Sequence, residues 1–148
     1  MKKRILVVDD EWSILELLKF KLSNHGYEVV TAQNEKEFWE RAFEVPRPDL
    51  IVLDIWLKNK AGTDIYDNLL HFGLDATIPV IFITALIENR APKHAPAGGK
   101  YALYAKPFDF DQLIREIERF VSEPSGEISQ AEPGGFSGHA FEKSLLLE

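Results

Sequence analysis

Arg4-Ile5-Leu6-Val7-Val8-Asp9-Asp10-Glu11 is the stretch that decides the fold, an unbroken apolar run that stops on three acids. A short run of this kind, rich in β-branched residues, reads as a strand buried on both faces, and such strands belong to parallel sheets covered by helices. The preceding Met1-Lys2-Lys3-Arg4 imitates the charged start of a signal peptide. Asp9 and Asp10 end the apolar run too soon for one, so the sequence implies no export.

Outward from this strand the pattern repeats. Further apolar runs at 27–32, 50–54, 79–84 and 101–106 join 4–9 as five predicted strands, and helical periodicities separate them. That alternation predicts an α/β fold of three layers, a doubly wound parallel sheet between helices. The first helix, 12–24, carries Ile14, Leu15, Leu18 and Leu22 on one face, with Gly26 placed to stop it. The second, 35–44, has Asn34 and Glu37 spaced as a capping box, with Pro46 and Pro48 beyond its end. Gly62 and Gly73 bound a helix at 63–72, and Asp109 with Gln112 opens one at 110–122 whose stripe is Leu113, Ile114, Ile117, Phe120 and Val121. Pro92 and Pro96 interrupt 86–98, where a helix should lie, and predict a short or irregular one.

Beyond Ser122 the chain turns to Pro, Ser, Gly, Glu and Gln, and the apolar periodicity vanishes until Phe141 and Leu145 to Leu147. The expected organisation is one domain over 1–122 and a flexible tail or linker over 123–148, with at most a helical turn at its end. A chain of 148 residues, 45% of them apolar, suits one core of this kind.

Acidic residues outnumber basic ones by 24 to 17, which leaves no broad cationic surface for a phosphate backbone. Nucleic acid is therefore not an expected partner of this chain alone. No stretch approaches the ~18 apolar residues of a membrane span, and the absence of cysteine removes disulfides and thiolate sites together. A soluble, cytoplasmic protein is expected. His25, His71, His94 and His139 show no ligand spacing, and Trp12 and Trp39 read as helix-packing residues.

Chemistry gathers at the strand ends: Asp9 and Asp10 close the first strand, Asp54 the third, Thr84 the fourth and Lys106 the fifth. In an open parallel sheet the carboxyl ends share one edge, where such folds bind ligands. Three carboxylates brought together repel unless a hard cation compensates them, and Mg2+ suits oxygen ligands of this kind. With Mg2+ on one side and the Lys106 ammonium on the other, the oxygens of a transferring phosphoryl group would be neutralised. Asp54 is then the expected nucleophile, forming an acyl phosphate, and Thr84 offers its hydroxyl to a phosphoryl oxygen. Each residue alone has a plainer use as a helix cap, strand end or solvated charge, and only their joint placement points to a site.

These motifs are those of a known family. ILVVDDE (Ile5 to Glu11), IVLDIWLKNKAG with Gly62 eight residues after Asp54, FITA ending in Thr84-Ala85, and KPF (Lys106 to Phe108) make the sequence resemble bacterial two-component response-regulator receiver domains over about residues 3 to 122. The resemblance implies a flavodoxin-like fold with strand order 2-1-3-4-5. It implies phosphorylation of Asp54 by a sensor histidine kinase or histidine phosphotransfer protein, with Mg2+ held by Asp10, Asp54 and the Trp56 carbonyl and assisted by Asp9 through water. A cis Lys106-Pro107 bond is also implied. Such a domain is no enzyme beyond its own phosphoryl transfer and autodephosphorylation, and it acts through protein contacts, either alone or as the receiver part of a longer regulator. Homodimerisation and the downstream target are left open.

Two departures stand out. Leu57 and Lys58 replace the family's usual Met-Pro, and Leu103 occupies the position of its aromatic switch residue, with Tyr104 next to it. Neighbouring strand residues face opposite ways, so Tyr104 does not simply inherit that role. Three other readings compete with this one. A haloacid-dehalogenase-type hydrolase needs a second aspartate where Trp56 stands, and a flavin binder needs a phosphate loop where Asp9-Asp10-Glu11-Trp12 stands. The third is a pseudo-receiver serving as an unphosphorylated binding module, against which the intact acidic set argues.

Overall fold

The computed structural model describes residues 2–57, 60–84, 101–106, 108–122 and 136–137, and of Trp56, Lys60, Thr84, Phe136 and Ser137 only the backbone. Five principal strands form a parallel sheet: β1 (Arg4–Val8), β2 (Glu28–Ala32), β3 (Leu50–Asp54), β4 (Val80–Thr84) and β5 (Tyr101–Ala105). Their order is β2-β1-β3-β4-β5, as the resemblance implied. A sixth, two-residue strand, β6 (Phe136–Ser137), lies antiparallel on the outer side of β5. Four helices are described: α1 (Trp12–Asn24), α2 (Glu35–Phe43), α3 (Gly62–His71) and α4 (Phe110–Ser122). The proline-interrupted segment 86–98, Pro107 with its expected cis bond, and the final apolar residues 141–147 lie outside the described residues.

Strand alternation divides the core in two. Leu6, Val8, Ile51, Leu53, Val80, Phe82, Tyr101 and Leu103 face α2 and α3, meeting Phe38, Ala42, Ile65, Tyr66 and Leu69. Ile5, Val7, Leu50, Val52, Ile81, Ile83, Ala102 and Tyr104 face α1 and α4, meeting Leu15, Leu18, Leu22, Leu113, Ile114, Ile117 and Phe120. Each such side chain contributes roughly 1.5–3 kcal/mol when fully buried, so both faces are needed to hold the sheet. Leu103 and Tyr104 thus sit on opposite faces, as a one-residue offset requires.

The local signals act mostly as expected. Gly26 adopts φ +89° just after α1, a left-handed conformation that side chains resist. Asn34 accepts from the Glu37 N–H at 2.9 Å, while the Glu37 carboxylate reaches back to the N–H of Gln33 rather than of Asn34, so the box closes one residue early. Asp109 accepts from Asp111 N at 2.9 Å and Gln112 N at 3.4 Å. Trp39 packs at the edge of the core, 5.8 Å from Phe43 and 5.4 Å from Phe72 between ring centres. Trp12 departs from the packing expectation: it is 60% exposed, on the first turn of α1 and off the stripe of Leu15, Leu18 and Leu22.

Candidate phosphoryl-acceptor site

Parallel strands deliver their carboxyl ends to one edge, and three of them bring acids or a base there. The ladder between β1 and β2 continues one residue past β1, with Asp9 N donating to Ala32 O at 3.1 Å, so Asp9 is held by the sheet itself. Its Oδ1 accepts from Glu11 N at 2.9 Å, which turns the chain towards α1. Beyond β3, Ile55 N donates to Ile83 O at 2.8 Å, fixing Asp54 beside β4.

Gly62 completes this corner. A Cβ built there would lie 2.2 Å from the Asp54 carbonyl oxygen, so only glycine allows the start of α3 to pass so close to the end of β3. Gly62 N also donates to Ile55 O. Between them the chain makes a small antiparallel ribbon, Trp56 opposite Ala61 and Leu57 opposite Lys60.

Asp9, Asp10 and Asp54 each bring a carboxylate oxygen within 4.8 Å of the others. Lys106, first residue past β5, reaches into the group: its Nζ lies 3.2 Å from Asp9 Oδ2, 3.3 Å from Asp54 Oδ2 and 2.8 Å from Glu11 Oε1. Asp9 and Asp54 are almost wholly buried, Lys106 largely so, and Glu11 stands at the rim with half its side chain exposed. Among the described residues, Lys106 is thus shared by three carboxylates, with Asp10 close to two of them.

The electrostatics follow from that imbalance. Burial holds the Asp9 carboxyl above the usual range, and the Glu11 backbone donor and Lys106 only partly offset it. Burial alone would lower the Lys106 ammonium, but Glu11, Asp54 and Asp9 outweigh it and raise it above the ordinary lysine range. Asp9 Oδ2 remains buried without a well-directed hydrogen bond, although Lys106 Nζ stands 3.2 Å away. A buried, under-compensated set of carboxylate oxygens is the donor chemistry that a hard divalent cation requires, so the residues present fit Mg2+.

Of the expected site residues, Asp9, Asp10, Asp54 and Lys106 are brought together. Thr84 ends β4, where it pairs with Ala105, and Trp56 follows Asp54 by two residues, but the side chains of both lie outside the described residues. Glu11 has no role in the site expected from the sequence, although its contact to Lys106 is shorter than those of Asp9 and Asp54. The sequence signal for it was a third acid directly after Asp9-Asp10.

Comparison with known proteins agrees with this geometry. The chain matches the response regulator receiver domain over residues 5–118, and it belongs to that family. Receiver domains are signalling modules that take phosphoryl groups from histidine kinases and bind Mg2+ at an acidic pocket. The chain is 37% identical over 128 residues to the transcriptional regulatory protein CrdR of Helicobacter pylori, covering 86% of this chain and 59% of that protein. It is 42% identical over 129 residues to the probable transcriptional regulator ycf27 of Cyanophora paradoxa, covering 84% and 52%. The chain thus spans little more than half the length of these relatives. Among solved structures, response regulator TrrA of Thermotoga maritima, in complex with Mg2+ and BeF, is 35% identical with a TM-score of 0.64, covering 80% of this chain and 98% of that one. Chemotaxis protein CheY4 of Vibrio cholerae shares the fold at 23% identity, with a TM-score of 0.70 and coverage of 81% and 99%. Among the described residues no helix is long and apolar enough to cross a membrane.

Proposed function

We propose that this chain is a phosphorylation-driven signalling switch, with Asp54 as the phosphoryl acceptor and Mg2+ as the required ion. The observation that carries the reading is the set of three carboxylates within 4.8 Å, two of them contacted by Lys106. Support also comes from TrrA, a solved relative that holds Mg2+ together with BeF, a phosphoryl-like group.

In this reading an Asp54 carboxylate oxygen attacks phosphorus, and the bond from phosphorus to the donor's histidine nitrogen breaks. The electron pair stays on the imidazole, which then takes up a proton. Lys106 exchanges a carboxylate for a phosphoryl oxygen and holds it by a charge-assisted hydrogen bond. Thr84 supplies its hydroxyl to another oxygen of the group. Asp9, Asp10, Asp54 and the Trp56 carbonyl would hold Mg2+, which when bound neutralises phosphoryl oxygens as a Lewis acid. The resting contacts of Lys106 give way to ones that favour the phosphoryl group, and the difference in contact energy shifts the population of a nearby surface.

The phosphoryl donor is then a sensor histidine kinase or a histidine phosphotransfer protein. The chain serves either as a stand-alone receiver or as the receiver part of a longer regulator, and the transcriptional roles in its relatives' names belong to that longer context. Residues 1–122 form the receiver and catalyse nothing beyond their own phosphoryl transfer and loss.

Incubation of the full chain with acetyl phosphate and Mg2+, followed by intact mass, tests this. The expected result is gain of one phosphoryl group, abolished in Asp54→Asn. An unchanged mass overturns the reading and leaves an unphosphorylated binding module, whereas equal gain in Asp54→Asn places the acceptor elsewhere.

A further inference from the structure

The two margins of the sheet are built differently. At the β2 margin, strand residue Glu28 is exposed and lies 3.4 Å from the Arg4 guanidinium, a charge of the kind that discourages another strand from adding. At the other margin β5 reads Tyr101-Ala102-Leu103-Tyr104-Ala105, with no charge and no proline. Its first four residues are buried on both faces of the sheet. Lys106, which could have served as a deterrent, is turned into the acidic pocket instead.

An uncharged apolar strand at a margin presents unpaired backbone groups that template a further strand. That edge is taken. Phe136 lies opposite Leu103 and Ser137 opposite Ala102, in the only antiparallel pairing of the main sheet among the described residues. Residues 123–135, between Ser122 and this strand, can span up to about 45 Å, ample for a return to the sheet. Pro133-Gly134-Gly135, directly before Phe136, is a sequence suited to turning a chain.

We propose that the outer edge of β5 is a strand-docking site and that its occupant is this chain's own segment at Phe136–Ser137. The segment is an edge cap: it satisfies the β5 backbone in cis and prevents a second copy of the chain from adding a strand there. With only two residues in the ladder the cap is weak and releasable, which separates it from a permanent sixth strand. The inference rests on pairing and sequence alone and stands whether or not Asp54 is phosphorylated.

The native chain has no cysteine, so paired cysteines report the contact directly. Under mild oxidation of dilute full-length protein, the better aligned of Ala102→Cys/Ser137→Cys and Leu103→Cys/Phe136→Cys is expected to close an intrachain disulfide. It should do so at least ten times faster than Ala102→Cys/Ser144→Cys. Because Ala102 and Leu103 are buried, a second measurement leaves β5 untouched. Alternate residues of an antiparallel ladder point their N–H groups at the neighbour, so one of Phe136→Pro and Ser137→Pro removes a ladder donor. That variant should speed amide exchange across 101–105 several-fold and shift the chain towards dimer in light scattering. Disulfides that form only between chains, or exchange and mass unchanged in both proline variants, would overturn the proposal.

Discussion

Two buried carboxylate clusters flank the end of β5, and they are built on opposite principles. Tyr104, inside the strand, donates its hydroxyl to Glu116 Oε1 at 3.3 Å, and Glu116 accepts from Arg119 through Nε at 2.9 Å and through Nη2. One carboxylate meets one guanidinium and one phenol, and charge and hydrogen bonds are matched. Burial, with the Glu116 charge second, pushes the Tyr104 phenol well above its usual range, so it remains a neutral donor. Two residues further on, Lys106 faces Asp9, Glu11 and Asp54 with Asp10 close by, and among the described residues these contacts set more acids than bases. A matched cluster ties α4 to the sheet. A cluster rich in acids gathers repulsion that an added cation relieves, and crowded charge of this kind marks a working site.

The largest effect expected from this contrast is at the lysine. Lys106→Ala should leave the fold intact and slow phosphoryl uptake from acetyl phosphate by about 100-fold, the usual scale for losing one donor to developing charge. A rate within threefold of the wild type, followed by intact mass over time, would place the lysine among the structural residues. Next comes the corner that fixes Asp54: Gly62→Ala drives a methyl into the Asp54 carbonyl and should cost about 1–3 kcal/mol in urea unfolding. An unchanged midpoint would mean that the corner relaxes freely.

The sharpest form of the contrast is one of sign. With a chelator present, Asp10→Asn removes repulsion and should raise the unfolding free energy by about 1 kcal/mol. Glu116→Gln, by contrast, strips the partner of Arg119 and should lower it by about 1–3 kcal/mol. Effects of the same sign would erase the distinction between the clusters. The smallest effect is for Tyr104→Phe, about 1 kcal/mol of destabilisation, with phosphoryl uptake unaffected.

What the sequence revealed and what it concealed divide along the same physical line. Strands announce themselves through apolar runs, so all five principal strands match their expected ranges to within a residue, and the helix stripes placed α1 and α4 end to end. The gathering of Asp9, Asp10, Asp54 and Lys106 was legible because parallel topology sends every strand's carboxyl end to one edge. The role of Glu11 is not legible in the sequence because its partner lies 95 residues away, and no local pattern encodes such a contact. No sequence signal singles out Glu116, since periodicity records which side of a helix is apolar and not which acid is matched within it. The ribbon at Trp56–Leu57 and Lys60–Ala61 and the pair Phe136–Ser137 are too short to carry any period.

Calorimetric titration of Mg2+ into the full-length chain tests the central claim, surplus negative charge at the strand ends, most directly. The account predicts one saturable site, with affinity falling at least tenfold in Asp10→Asn and unaltered in Glu116→Gln. Absence of binding, or equal binding in Asp10→Asn, would contradict it.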